Sequence, residues 1–522
     1  MMTNGIYSRR NFMKIFAAAA ASSAVLSGCD KKEEPMVEQT SSQLHPNILI
    51  ILVDQLAHKA LPSYGDKYAD APNIEGILKS GVHFSNVYTP CPLCQPARAA
   101  IWTSRYPHQT GVLDNMPTEP EAGFTRLGAM MHEEITTLGD VFSGAGYIAR
   151  HFGKMHDAGA LRGFDCDNPA AELPVESKPA WPVNVDTTRD RYTTVRCVEF
   201  LEQKHDKPFI AIADLNNPHN ICGWVGENKG EHTDKPIESV LPELPDNFET
   251  ADMDTRAAGI QYLCCTHPRL SQASQWNGQN YRHYLAAYYH YLKRVDDEIG
   301  LILNALKAGG YDKNTLIVFM ADHGDGMASH RMVTKRLSFY EETTRVPFVF
   351  AGYGVKAANK YVENQLASTL DLLPTLCDYA GLDIPQGVEG KSLMRYLAGD
   401  DTPVERDYVA SQWYAEWNYT REPGRMLRTK QYKYIKYAEN KAEELYDIQN
   451  DPGEMRNLAP NTQYAEVLER HRKLFAEYLA ATDDPFETLT AIVDPRWRTH
   501  TPGYTKHIGG CAKDFPPPEE LR

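Results

Sequence analysis

No apolar run in the 522 residues reaches the ~20 that a bilayer-spanning helix needs, so the chain does not read as a membrane protein. Positive charge is also short. There are 54 Lys and Arg against 69 Asp and Glu, a net charge of −15. That excludes a broad nucleic-acid-binding surface, because phosphate binding needs clustered positive charge. Gly (35) and Pro (33) are not enriched, and hydrophobic (42%) and charged (24%) residues are ordinary, which removes collagen, coiled coil and wholesale disorder. Internal repeats are missing, and the one Cys-x-x-Cys pair, Cys91 and Cys94, has no second pair to complete a zinc site. What is present is length: enough to bury a large core and to fit one large domain plus a smaller one. An acidic chain that handles an anion must concentrate its positive charge locally.

The first residues read as an address. Ser8-Arg9-Arg10-Asn11-Phe12-Met13-Lys14 precedes a short apolar stretch, Ile15 to Leu26: a charged start, an apolar middle and small residues before a cut. The paired arginines resemble a twin-arginine signal, and Leu26-Ser27-Gly28-Cys29 resembles the bacterial lipobox, whose cysteine is lipidated. Residues 1–28 are therefore expected to be a signal peptide and 29–44 a tether. The protein is expected to be an exported lipoprotein, periplasmic or at the cell surface, anchored through Cys29. Loss of residues 1–28 removes three basic residues and no acids, taking the net charge to −18. Of ten cysteines, nine remain beyond Cys29; an odd number in an exported protein suggests that one has another job.

Along the body, Asn47 to Val53 is a continuous apolar run ending at Asp54, the pattern of a strand buried on both faces of a parallel sheet. Further strands are predicted over Val82–Tyr88, Tyr147–Phe152, Phe209–Leu215, Thr315–Met320 and Val346–Phe350. Helices are predicted over Ile74–Ser80, Ala97–Ser104, Leu138–Ala145 and Tyr281–Ala308. Alternation of this kind predicts an α/β fold, a large mostly parallel sheet flanked by helices, over residues 45–385. Residues 386–483 read as a smaller α+β subdomain with a short antiparallel sheet. Within it Arg428 to Tyr437 reads as a strand exposed on one face, and Tyr464 to Thr482 as a helix. Residues 484–522 read as an irregular tail.

Asp54, His156, His219, Asp322 and His323 all fall just after predicted strand ends, where open α/β sheets place their ligands. Cys94-Gln95-Pro96-Ala97-Arg98 lies at the mouth of a predicted helix, which adds partial positive charge. Arg98, one turn on, shares a face with Cys94.

Here the chain resembles the type I, formylglycine-dependent sulfatases of the alkaline phosphatase superfamily, whose signature is Cys-x-Pro-x-Arg. Ala97 stands where the more common form has serine. The resemblance runs from about Pro46 to Ala459. It includes Gly153-Lys154-Met155-His156, Asn217-Pro218-His219, Asp322-His323-Gly324-Asp325, Lys335, Glu341 to Pro347, Asp371-Leu372-Leu373-Pro374-Thr375, Leu445-Tyr446-Asp447 and Asp451 to Glu454.

The resemblance implies an alkaline phosphatase-like fold and a sulfuric ester hydrolase. Its nucleophile would be formylglycine, made from Cys94 by a separate maturase, and its metal one calcium. The implied metal set is Asp54, Asp322, His323 and the modified Cys94. Gln55, standing where many relatives have a second aspartate, is a weaker ligand through its amide oxygen. Calcium takes about 6–8 oxygen-type ligands, and a divalent cation polarises sulfate oxygens. Arg98 is expected to fix the hydrated formylglycine, Lys154 and Lys335 to bind sulfate as point charges, His156 to assist release of sulfate, and His219 to protonate the leaving oxygen. His108, His151, His290 and His330 are given no role. The expected partner is a sulfated carbohydrate. Trp413, Tyr414, Trp417 and Tyr419 read equally as a sugar-stacking wall or as packing of the small domain. The alternatives are a phosphonate monoester or phosphodiester hydrolase of the same superfamily, and a lipoprotein that binds sulfated glycan without cutting it.

Overall fold

The computed structural model describes residues 45–115, 130–167, 187–228, 241–249, 269, 273, 276–335, 338–414, 416–417 and 420–491. The signal, the tether with Cys29, Tyr419 and most of the C-terminal tail lie outside them.

An eight-stranded sheet carries the larger part of the fold. Its strands are β1 (Asn47–Asp54), β2 (Gly81–Tyr88), β3 (Ile148–Gly153), β4 (Asp165–Asp167), β5 (Phe209–Pro218), β6 (Thr315–Ala321), β7 (Phe348–Gly352) and β8 (Lys360–Ser368), in the order β4-β3-β5-β1-β6-β7-β2-β8. Only β7 runs antiparallel to its neighbours, so the sheet is mostly parallel, as expected. β1 is buried along its whole length, flanked by β5 and β6, which is why it reads as an unbroken apolar run.

Register brings the chemistry together. Val53 pairs with Ala321, Leu52 with Asp214, and Asp214 with Gly153. The carboxyl ends of β1, β3, β5 and β6 therefore lie side by side, with Asp54, Lys154, Asp214 and Asp322 at one end. The helix Gly278–Ala308 is capped by Asn277, whose side chain accepts from the Asn280 N–H. It buries Tyr284, Tyr288, Tyr291, Val295, Ile299 and Ile302 at helical spacing. Two of its tyrosines reach the strand ends: Tyr288 donates to the Gln55 carbonyl at 2.8 Å, and Tyr284 donates to Asp325. Among the described residues no helix is long and apolar enough to cross a membrane.

The second sheet contains β9 (Val409–Trp413), a short β10–β11 hairpin follows (Glu416–Trp417 with Thr420–Arg421), and β12 (Gly424–Arg428), β13 (Tyr432–Tyr437) and β14 (Glu443–Asp447) complete it. Its order is β14-β13-β12-β9, all antiparallel. The stretch Arg428–Tyr437 is thus a hairpin rather than one strand, and neither face is open to water. Tyr432 and Tyr434 pack with Leu468, Phe475 and Tyr478 of helix Ala465–Thr482, while Ile435 and Tyr437 join the main core. Lys433 is fully buried on the core side, where its ammonium meets Glu454 at 2.8 Å and Glu341 at 2.9 Å; a strand rich in lysine and tyrosine looks half-exposed only while those acids are unseen.

The tail also begins later than the sequence suggests. Asp484 caps the short turn Pro485–Thr488, Phe486 is buried, and both Asp484 oxygens accept from the fully buried Arg425 at 2.6 and 2.9 Å. Asp484→Ala leaves that guanidinium without its carboxylate. A loss of ~3–5 kcal/mol is expected, read as a lower urea midpoint at unchanged m.

Candidate active site

The helix bearing the Cys-x-Pro-x-Arg segment runs from Cys94 to Thr103, three residues earlier than the sequence predicts. Pro96 does not delay it, because the first-turn N–H groups have no intrahelical partner to lose. Cys94 therefore opens the helix, with Leu93 as an N-cap that offers no side-chain bond. Its Sγ is buried at the mouth of that helix.

Around that sulfur the positive charge is concentrated. Lys335 Nζ lies 2.7 Å from Cys94 Sγ and 3.8 Å from Asp54 Oδ1. Lys154 Nζ donates to Asp54 Oδ2. His323 Nε2 is 3.2 Å from the sulfur, and both His156 and His219 approach it as hydrogen-bond partners. Burial pushes the Cys94 thiol up, but Lys335, Lys154 and His323 outweigh it and hold the group well below its ordinary value. The same field favours an anionic oxygen there.

Arg98 is fully buried and faces three carboxylates. Its Nε is 2.8 Å from Asp322, one terminal nitrogen 2.5 Å from Asp214, the other 3.2 Å from Asp54. Asp54 is held below the usual carboxylate range: burial and Cys94 raise it, and the lysine charges, Lys154 first and Lys335 with it, overcome both. Asp322 is raised, chiefly by burial and then by Asp54 beside it. Two adjacent buried carboxylates that resist joint ionisation are what a divalent cation relieves.

The donors fit such a cation. Atoms of Asp54, Cys94, Asp322 and His323 lie within 4.8 Å of one another, all buried. His323 Nδ1 lies 2.9 Å from the Gly324 carbonyl; that bond assigns the proton to Nδ1 and leaves Nε2 for a ligand. Gln55 is engaged differently from the sequence expectation. Its Nε2 donates to Asp325 at 2.6 Å, its Oε1 lies 3.3 Å from the Cys222 sulfur, and its backbone N–H donates to Asp322 at 3.1 Å. It adopts φ 70°, a left-handed turn uncommon outside glycine. Both ends of its amide thus have protein partners.

Glycine is needed twice here. A Cβ on Gly153 (φ +113°) would stand 2.1 Å from the Asp214 carbonyl, and one on Gly324 1.9 Å from the Glu342 carbonyl. Both glycines sit beside functional residues, Lys154 and His323, which bare backbone lets approach the neighbouring chain.

All ten predicted site residues therefore gather at one sheet end, with Gln55 at its margin. Sequence reasoning missed Asp214 and His151, whose rings and carboxylate lie behind Arg98, and Tyr284, Asp325 and Cys222 behind Gln55. The missed signal for Asp214 was an acid inside the otherwise apolar strand Phe209–Leu215. Of the four aromatics, Trp413 and Tyr414 are buried at 3% and 4% exposure, and the Tyr414 hydroxyl accepts from Arg425 at 3.0 Å. Those two pack the small domain.

With that geometry the comparisons agree. The Sulfatase family profile matches residues 46–382, and that of the N-sulphoglucosamine sulphohydrolase C-terminal region matches 328–480. The chain belongs to the sulfatase family. It is a sulfuric ester hydrolase. A curated Delta 4,5-hexuronate-2-O-sulfatase of Bacteroides thetaiotaomicron is 47% identical over 475 residues, covering 91% of this chain and 97% of that protein. A solved 2-O GAG sulfatase superposes with TM-score 0.82 at 47% identity, covering 90% and 99%. The phosphonate monoester hydrolase of Agrobacterium radiobacter, at TM-score 0.63 and 20% identity over 84% of this chain and 96% of its own, shares the fold.

Burial, then Lys154 and Lys335, depress His219 to about 3. In the ligand-free site its imidazole is therefore neutral across the working pH range. A sulfate anion between the lysines reverses part of that field and favours the imidazolium, so binding takes up a proton and strengthens as pH falls. Product inhibition by sulfate should tighten from pH 8 to pH 5, by at most ~tenfold per unit, and His219→Ala should flatten the slope. An unchanged slope in that variant would place the proton on another group.

Proposed function

We propose that the chain removes a 2-O-sulfate from a hexuronate at the end of a glycosaminoglycan fragment, using formylglycine made from Cys94 and a bound calcium ion. The observation that carries this reading is the full-length likeness to the hexuronate 2-O-sulfatase in a chain whose buried cationic cluster surrounds Cys94. A 4,5-unsaturated hexuronate arises when a polysaccharide is cut by elimination, and it stands at the non-reducing end. An eliminating lyase would supply such a substrate, and the action would be exo.

Hydrated formylglycine would supply a hydroxyl nucleophile and a second hydroxyl whose deprotonation would free the sulfate, and a cation held here would polarise the sulfate oxygens. Asp54, Asp322, His323 and the Cys94 side chain would hold the cation. Gln55 would join them only by giving up its Cys222 contact. The residues divide the rest. Lys154 and Lys335 bind the sulfate oxygens and offset the charge that builds there. Arg98 orients the nucleophile from the next helical turn. His219 gives its proton to the leaving sugar oxygen, which is a poor leaving group without it. His156 accepts the proton that ends the cycle. Burial keeps water from weakening these interactions.

Supply of the enzyme requires a maturase for Cys94, and the lipobox-like Leu26-Ser27-Gly28-Cys29 supports a membrane anchor facing imported or external glycan fragments.

Sulfate release from matched disaccharides checks the reading. Unsaturated 2-O-sulfated hexuronate should be turned over with kcat/KM at least ~10²-fold above 4-O- or 6-O-sulfated amino sugars. Equal rates, or preference for the amino sugars, would reject the 2-O assignment. The tryptic peptide carrying residue 94 should have the aldehyde mass, and Cys94→Ser should remove nearly all turnover; full activity with a persistent thiol would reject the nucleophile. Thorough chelation should abolish the rate and added calcium restore it. Undiminished activity in metal-free buffer would reject the cation.

A further inference from the structure

The mechanism leaves the buried acid beside Arg98, Asp214, without a task. Asp214 is 1% exposed at the end of β5. One oxygen, Oδ2, accepts from Arg98 at 2.5 Å and lies 3.2 Å from Nε2 of His151, itself fully buried on β3. Its carbonyl accepts from the Lys154 N–H at 3.2 Å, so one residue touches the backbone of one functional group and the side chain of another. The close approach of Gly153 fixes that spacing.

Arg98 has two other carboxylates, but Asp54 and Asp322 both belong to the group that fits a cation. Charge shared with a cation is charge withdrawn from the guanidinium. Asp214 lies outside that group, so its charge stays with Arg98 whether or not a cation is bound.

We propose that Asp214, held by His151, is a positioning residue that keeps Arg98 aimed at residue 94 and neutralises it beside the bound cation. This rests on the reading of Arg98 as the residue that orients the nucleophile. His151 donates from Nε2 and so sets where the Asp214 carboxylate stands; Asp214 in turn sets the guanidinium. Two consequences follow from one carboxylate. The first is geometric and falls on kcat, because Arg98 acts on the nucleophile rather than on substrate binding. The second is electrostatic: without Asp214 the guanidinium keeps only the two carboxylates that a cation would share, and repels that cation more strongly.

Asp214→Asn keeps the shape and removes the charge. In matured protein its kcat on a 2-O-sulfated hexuronate should fall ~10–100-fold with KM within ~threefold. The calcium concentration giving half of the thermal stabilisation should rise ~tenfold or more, a readout independent of turnover. His151→Leu should lose kcat several-fold, and His151→Gln, whose amide still donates, should recover most of it. An Asp214→Asn protein with kcat and calcium midpoint both within twofold of the parent would overturn the proposal. Should that variant fail to fold, His151→Leu and His151→Gln decide, and equal kcat in the two would overturn it. Failure of the underlying reading looks different: the parent would release no sulfate, or Arg98→Ala would leave its rate intact. The positioning proposal alone fails when Arg98→Ala is inactive and Asp214→Asn is unaffected.

Discussion

A guanidinium with no access to water sets the terms for this end of the sheet. Removing an ion from water costs several kcal/mol unless its partners are placed to replace the hydration. Arg98 meets that condition with three carboxylates, each delivered by a different parallel strand. The strands must therefore end in register, or the arginine is left unpaired. In turn the acids need Lys154 and Lys335, since three buried carboxylates around a single arginine would repel one another. Six charges of alternating sign are balanced in a small dry volume. In the proposed mechanism two of those cations, Lys154 and Lys335, are the ones an anionic substrate meets.

That balance explains how a protein of net charge −15 handles an anion. The excess acid is spread over the whole chain and screened at the surface, whereas the positive groups are few and desolvated. Local concentration, not overall sign, decides what the site accepts. Buried Lys433 follows the same rule at the join between the two sheets, where Glu341 and Glu454 hold it, and Arg425 follows it with Asp484. A chain that buries so many charges depends on pairing each of them.

The parts legible in the sequence were those governed by short-range pattern. The apolar run of β1, the strand-end acids and the Cys-x-Pro-x-Arg segment are local, and each could be located without knowing its neighbours. What stayed hidden depends on partners far along the chain. β13 read as half-exposed because Glu341 and Glu454, which neutralise Lys433, are remote in sequence. β8 and β9 carry mixed composition and were not seen as strands; they become so by pairing with β2 and β12. The helix expected from Ala97 begins at Cys94, because its first turn holds Pro96 without losing an intrahelical bond. His151 looked like one more packing histidine, and nothing in β3 alone says that it faces an acid on β5.

Gln55 marks the point where likeness to relatives and geometry part. Aligned with the family's metal-binding aspartates, it suggests a ligand; in space its amide spans Asp325 and Cys222. An aspartate there would add another buried negative charge next to Asp325, which burial already raises to about 6. The amide instead donates to Asp325 and leaves the charge count unchanged. Its left-handed backbone turns its N–H onto Asp322, so Gln55 steadies a metal-site acid through the main chain whatever its side chain does. Neutral at that position, Gln55 adds no further charge beside the three carboxylates that face Arg98.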